Sequence, residues 1–275
     1  MEKTKRNERI GAMVKILTNR PNHIYTLQYF CELFSAAKST ISEDIVIIND
    51  IFEKFGLGHL ETVAGAAGGV RYLASPPGEK TLEFIQELCR ELSHPDRVLP
   101  GGFIYMTDLL YNPNIVQGIG EILASQFVDR KPDFVITVET KGIPIAMMTA
   151  RSLDCPVIIA RRDNKVTEGP VVTINYISAS SKRIQTMSLS KRAVKEGQRG
   201  LIIDDFMKGG GTARGMVDLL REFNADVVGV GVAIATEQPA EKMIDDYKAL
   251  MTLKQINDIE KKVCIEPSEW FWENR

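Results

Sequence analysis

Leu201-Ile202-Ile203-Asp204-Asp205-Phe206-Met207-Lys208-Gly209-Gly210-Gly211-Thr212 decides how this chain is read. The three apolar residues form a short buried strand, and the two adjacent carboxylates stand where that strand is expected to end. Glycines and a threonine follow, and then Met216, Leu219, Leu220 and Phe223 recur at helical spacing. Glycines let backbone N–H groups crowd around an anion, and the start of a helix adds partial positive charge. Two carboxylates beside a phosphate would be repelled by it. They make sense when they accept hydrogen bonds from sugar hydroxyls or help to place a metal ion. A ribose 5-phosphate meets all of these demands.

The stretch is not a Walker A loop, because no Gly-Lys-Ser/Thr ends it. It is not a dinucleotide fingerprint either, because the glycine spacing fails and the acids come first. It resembles the phosphoribosyl pyrophosphate (PRPP) motif of type I phosphoribosyltransferases: apolar strand, Asp-Asp, short loop, Gly-Gly-Thr. The resemblance implies that Asp204 and Asp205 hold the ribose hydroxyls. It implies that Lys208, Gly209, Gly210, Gly211 and Thr212 hold the 5-phosphate, with Phe206 and Met207 in the same ribose–phosphate stretch. Gly209 departs from the pattern, since many members have Thr there; a hydroxyl donor is lost but the backbone donors stay. The plain alternative is a polar strand-to-helix turn with helix-capping acids.

The chain has 275 residues, enough for one or two domains with real cores, and a net charge of −2. Charge is unevenly spread. Residues 1–40 carry seven Lys/Arg against three acids, an excess that suits an anionic polymer or a merely solvated N-terminus. Cys31, Cys89, Cys155 and Cys264 are isolated from one another and from histidines, so no structural zinc site is expected and a reducing, cytoplasmic setting fits. The charged N-terminus is not a signal peptide, and the longest apolar run, Val227 to Ala235, is too short to span a bilayer.

Ile10, Met13, Val14 and Leu17 give a first helical stripe, ended by Asn19-Arg20-Pro21-Asn22. Thr26 is placed to cap a second helix carrying Leu27, Phe30, Cys31 and Phe34. A third helix starts near Ser39, where Thr40-Ile41-Ser42-Glu43 fits a capping box, and buries Ile41, Ile45, Ile48 and Phe52. Two short strands follow, His59 to Val63 and Val70 to Leu73, around a glycine-rich tip at residues 65–69. Three helices and a two-stranded hairpin describe a winged helix-turn-helix. In such a unit the start of the third helix enters the DNA major groove. Lys38, Ser39, Thr40 and Ser42 are therefore candidate DNA contacts, with Arg6, Arg9 and Arg71 as backbone contacts from arm and wing. A winged helix used for protein contact or dimerisation is the other reading. Ala74-Ser75-Pro76-Pro77-Gly78 reads as a linker, so the domains are drawn as 1–74 and 75–275.

Beyond the linker, Leu82, Ile85, Leu88, Cys89 and Leu92 form an amphipathic helix. Phe103 to Tyr105 reads as a strand, and Ile115, Ile119, Ile122, Leu123 and Phe127 as a helix. Phe134 to Val138 is an apolar strand of the kind covered on both faces, followed by a helix from Ile145 to Leu153. Val157 to Ala160, Leu201 to Ile203 and Val227 to Ala235 complete the expected strands. Strands alternating with helices indicate an open, mainly parallel α/β sheet. Ligands gather at the carboxyl ends of such strands, where Thr140-Lys141-Gly142, Arg161-Arg162 and the acidic pair converge. The transferase resemblance makes Thr140, Lys141 and Gly142 the pyrophosphate loop, with Arg161 beside it; a bland turn is the alternative. Residues 161–192 carry an excess of five positive charges and read as a hairpin flap over the site, with Lys165, Tyr176, Ser178 and Lys182 as its candidate residues. Such a flap suits neutralising a pyrophosphate, lining a DNA path, or solvation alone. Trp270-Phe271-Trp272 is expected to pack on the body or on a partner subunit.

A winged helix joined to a PRPP motif is an unusual pairing. The chain is similar over nearly its full length to the purine operon regulators (PurR) of Gram-positive bacteria. The segments that carry the similarity are Ala37-Lys38-Ser39-Thr40-Ile41-Ser42-Glu43-Asp44, Pro100-Gly101-Gly102, Arg162-Asp163-Asn164-Lys165-Val166-Thr167-Glu168-Gly169 and the stretch from Asp204 to Thr212. Phe103 departs from it, standing where many members have Tyr. The resemblance implies a dimeric regulator of purine synthesis and salvage genes that binds double-stranded operator DNA. It implies PRPP, with Mg2+, as effector and a guanine nucleotide alarmone, (p)ppGpp, as competitor. No catalytic residue, resident cofactor, metal set or membrane contact is expected. The rival is an active purine phosphoribosyltransferase carrying a DNA-binding extension.

Overall fold

The computed structural model describes residues 4–65, 68–74, 78–163, 169–177 and 183–273. The chain divides into two units, residues 1–76 with 151–154, and residues 77–150 with 155–275. Among the described residues no helix is long and apolar enough to cross a membrane.

The first unit is built on α1 (Arg6–Asn19), α2 (Leu27–Phe34) and α3 (Lys38–Phe55). Met13, Leu17, Phe30, Phe34, Ile41, Ile45, Ile48 and Phe52 meet in one core, as the helical periodicities require. The Thr26 hydroxyl caps α2 by accepting from the Tyr29 N–H at 3.1 Å. The expected capping box at Thr40 is not formed. Helix α3 begins at Lys38, next to the expected start near Ser39, with Ala37 at its N-cap and no side-chain cap, and the Ser42 hydroxyl donates to the Lys38 carbonyl at 3.0 Å instead. Gly56 closes α3 in the left-handed conformation, φ 61°. Strands β1 (His59–Val63) and β2 (Gly69–Leu73) pair antiparallel, His59 opposite Leu73. Tyr25 adds a bridge to Val70, and Val70 plugs the helical core. This is the winged helix-turn-helix that the periodicities predicted.

The second unit carries α4 (Glu79–Leu92), β3 (Val98–Leu99), β4 (Phe103–Ile104), α5 (Thr107–Leu110) and α6 (Pro113–Ser125). It continues with β5 (Phe134–Val138), α7 (Gly142–Leu153), β6 (Val157–Ala160), β7 (Val171–Ile177) and β8 (Ile184–Ser190). Last come β9 (Arg199–Met207), α8 (Gly211–Arg221), β10 (Asp226–Thr236), β11 (Lys248–Asn257), β12 (Lys262–Pro267) and α9 (Trp270–Glu273). The central sheet runs β12-β11-β10-β9-β5-β6, parallel throughout except for β12.

Alternate strand residues serve opposite faces. Ile136, Ile202, Val230 and Val232 pack with Met216, Leu219 and Leu220 of α8. On the other face Gly229 and Gly231 leave the room that Phe127 occupies; a Cβ at Gly229 would lie 2.5 Å from its ring.

The strand expected at Phe103 to Tyr105 is present as β4, which pairs with β3 in a separate two-stranded ribbon. Three expectations need correction. The set of sheet strands is not complete at β10, because β11 and β12 extend it. The strand expected to stop at Ile203 runs on to Met207: β10 keeps pairing with it, Val232 opposite Asp204 and Ala235 opposite Met207, so the ladder carries through the acids. The β7–β8 hairpin does not stand free as a flap where it is described. Its inner face, with Tyr176, Met187 and Leu189, is buried against α8. Trp270 and Phe271 pack on the body, the Trp270 indole N–H donating to the Ala249 carbonyl at 2.7 Å, while Trp272 is exposed.

Candidate functional site

Strand β9 is central, flanked by β10 and β5, so its carboxyl end is the best-supported point of the sheet. Asp204 is buried there and Asp205 half-buried. One oxygen of Asp204, Oδ1, accepts the N–H of Asp205 at 2.9 Å. Gly142, the first residue of α7, admits this carboxyl: a Cβ on Gly142 would lie 2.8 Å from Asp204 Oδ1. Burial pushes the Asp204 carboxyl well above the usual carboxylate range; the charge of Asp205 adds to this and Arg162 works against it.

Lys208 is exposed, while Gly209 and Gly210 are buried. The Gly209 carbonyl accepts the Met243 N–H at 2.9 Å, and Gly210 turns the chain with φ 79° into α8. A Cβ at Gly210 would press on Met243 N at 3.2 Å, so glycine is needed there for both backbone angle and space. The result is a backbone turn followed by the amino end of an eleven-residue helix. Both features favour an anion.

This turn forms one wall of a cleft of about 650 Å³, lined by the whole stretch from Asp204 to Ala213. The carboxylates, Phe206, Met207, Lys208, the glycines and Thr212 are therefore gathered at one place. Lys141 reaches the same cleft; Thr140, Gly142 and Arg161 are not in its described wall. Arg161 instead leans on Glu139, Nη1 to Oε2 at 3.5 Å. The Glu139 carboxylate also accepts the Arg162 N–H at 2.8 Å, tying the ends of β5 and β6 together. Tyr176 is not a flap residue over the cleft. Its ring is buried against Gly215, where a Cβ would lie 2.9 Å from it, and its hydroxyl donates to Gln185 Oε1 at 2.7 Å. Lys165, Ser178 and Lys182 lie outside the described residues.

The sequence reading missed the opposite wall. It is made by Gly101 to Ile104 and Met106, by Gln238, and by Leu253 to Ile256 of β11. The glycine pair after Pro100 marked the first of these segments, but β11 itself was not recognised.

In the first unit Lys38, Ser39 and Ser42 are exposed along the start of α3, and Thr40 is half-buried. Arg6 is exposed and pairs with Glu43 at 2.7 Å. Arg9 is different: it is 5% exposed, binds Asp44 through two nitrogens, and donates a third hydrogen bond to the Thr4 carbonyl. Its expected role at a DNA backbone is corrected to an internal tie between arm, α1 and α3. Arg71 gives two nitrogens to Glu61 and one to Asn22, which holds it across the wing.

Comparison with known proteins agrees with both halves. Residues 5–74 match the bacterial purine repressor N-terminal family, and residues 106–268 match the phosphoribosyl transferase domain family. The chain is 48% identical to the purine biosynthesis transcriptional repressor PurR of Bacillus subtilis, over 96% of this chain and 93% of that protein. It is 42% identical to the purine biosynthesis transcriptional activator PurR of Lactococcus lactis, over 95% and 97%. Among solved structures, adenine phosphoribosyltransferase from Saccharomyces cerevisiae superposes with a TM-score of 0.52 at 18% identity, over 61% of this chain and 97% of that one. The last likeness concerns the fold alone.

Proposed function

The chain belongs to the PurR family of purine biosynthesis transcriptional regulators, and from that premise we propose that it is a PRPP-responsive regulator, a repressor in the simpler case. Its winged helix binds operator DNA ahead of purine biosynthesis and salvage genes, and its transferase-like cleft senses PRPP without turning it over. The observation that carries this reading is the coexistence of two sites in one chain: an exposed helix start bearing Lys38, Ser39 and Ser42, and a cleft in which Asp204 and Asp205 meet a glycine turn at a helix start.

In that cleft the acids take the ribose hydroxyls, and the backbone of Lys208 to Thr212 takes the 5-phosphate. Lys141 reaches the pyrophosphate. A Mg2+ ion arrives with the pyrophosphate; the half-buried Asp205 is the better placed of the two acids to share it, since Asp204 is buried and already bonded to backbone. A guanine nucleotide alarmone, (p)ppGpp, also carries a ribose with phosphate on its 5′ carbon and competes for the same cleft. The working form is a cytoplasmic homodimer. Regulation requires that effector bind the DNA-competent and DNA-free states with unequal affinity.

The test is affinity for a purine-promoter duplex as PRPP and Mg2+ are titrated. Weakened binding supports release of DNA as PRPP rises. Tight binding indifferent to PRPP overturns the sensor role, and absence of salt-dependent duplex binding overturns the regulator role. The match of residues 106–268 to a transferase domain favours a second reading, a working transferase. Nucleobase-dependent release of pyrophosphate from PRPP decides that; the regulator reading expects none.

A further inference from the structure

The ribose–phosphate cradle occupies only the β9 side of the cleft. Two strands away across the sheet, in the order β11-β10-β9, the chain places Lys254 in the facing wall. Its ammonium is not free to wander: Nζ pairs with Glu237 Oε1 at 2.8 Å, just past the end of β10. The cleft also has apolar lining, from Val232, Leu253, Ile256, Ile104, Met106 and the exposed ring of Phe103, interspersed with Thr236, Gln238 and Gln255. The cleft's 650 Å³ is the size of site that takes a whole nucleotide-like ligand rather than a sugar phosphate alone.

Apolar lining with one aromatic ring suits the faces of a flat heterocycle. A lysine carries only donors. Glu237 holds the ammonium but is not among the residues that line the cleft, so the group offered to a ring edge is a donor, which complements a ring carbonyl. The same ammonium opposes a ring amino group, donor against donor.

We propose that Lys254, held by Glu237, is a specificity residue for the base of a bound nucleotide and selects 6-oxopurine over 6-aminopurine ribose phosphates. The inference rests on the reading of the cleft as a ribose–phosphate site and names the part of the ligand that PRPP lacks. PRPP, having no base, does not engage Lys254.

The experiment is calorimetric titration of the full-length protein and of Lys254→Met with three probes: PRPP with Mg2+, GMP and AMP. The wild type is expected to bind GMP about tenfold more tightly than AMP, the effect of one hydrogen bond from a charged donor. In Lys254→Met that gap closes while PRPP affinity stays as in the wild type. A gap that survives the substitution overturns the proposal. So does a wild type without preference, or a variant that loses PRPP and both nucleotides in step, which is the mark of a structural role. A wild type that binds neither PRPP nor either nucleotide overturns the effector reading itself, and this inference with it.

Discussion

The guanidinium of Arg9, on α1, grips the buried carboxylate of Asp44, on α3, with Nε 2.6 Å from Oδ2 and Nη2 3.2 Å from Oδ1. Asp44 has no exposed surface, and Arg6 Nε also stands 3.4 Å from its Oδ1. Removing Arg9 takes away the closer of its two cationic partners, and breaking a buried pair costs about 3 kcal/mol. Arg9→Ala is therefore expected to unfold the winged helix at lower denaturant, followed by circular dichroism. Arg9→Lys recovers only part of the loss, because an ammonium cannot make the forked contact. Asp44→Asn together with Arg9→Met is expected to be milder than Arg9→Ala alone, since no buried charge of the pair then remains.

Lys38 is the contrasting cation. It is exposed at the start of α3, where a side chain can meet a DNA phosphate. Lys38→Ala is expected to weaken duplex binding uniformly across sequences and to lower the slope of log K against log salt by about one unit, without changing the melting temperature. An unchanged slope places Lys38 away from the phosphates. Arg9→Lys, by comparison, is expected to leave the slope alone.

Asp204 makes stability depend on pH in an uncommon direction. Burial and the Asp205 charge raise its folded-state pKa above the ordinary carboxylate value. Between those two values the folded chain holds more protons than the unfolded chain, so stability falls as pH rises through that window. Below the ordinary value both states are protonated and the penalty is gone. Asp204→Asn removes the titration. Its melting temperature is expected to exceed that of the wild type near neutral pH, by roughly 2–4 °C for each kcal/mol recovered, and the gap is expected to shrink in acid. The same variant loses PRPP response while keeping duplex affinity. A variant that melts lower than wild type at every pH removes the electrostatic account.

These results mark where the sequence could be read and where it could not. Helical stripes such as Ile41, Ile45, Ile48 and Phe52 were legible because one buried face repeats at a fixed spacing. The acid pair and glycines were legible because backbone turn, helix start and sugar-binding acids lie adjacent in the chain. Arg9 was not: a charge count treats every arginine as surface, and Asp44, its partner, lies 35 positions away. Tyr176 was misplaced for the same reason, since Gly215, which makes room for its ring, is on another element. Strand β9 was cut short because adjacent acids resemble a strand end, whereas the ladder to β10 ignores side-chain charge. Strand β11 was overlooked although Ala249-Leu250-Met251 is apolar; Thr252 and Lys254 interrupt the run, and Lys254 belongs to the cleft wall.

Gly142 offers the sharpest separation of site from fold. Its backbone starts α7 and lies against two side chains, so a methyl group there would overlap Thr137 Oγ1 and sit 2.8 Å from Asp204 Oδ1. Among the described residues the buried Thr137 hydroxyl has no hydrogen-bond partner. The clash therefore falls on two side-chain ends, the Thr137 hydroxyl and the Asp204 carboxyl. Gly142→Ala is expected to displace that carboxyl from its bond to the Asp205 N–H, and overpacking of this kind costs about 1–3 kcal/mol. The winged helix has its own core, so duplex binding should persist while PRPP affinity falls by at least about tenfold, a loss of about 1.4 kcal/mol. Gly142→Ala in an Asp204→Ala background tests the route directly. If the two changes act through the same carboxyl, the second adds nothing to the loss of PRPP affinity; if their effects sum, Gly142 acts by some path other than Asp204.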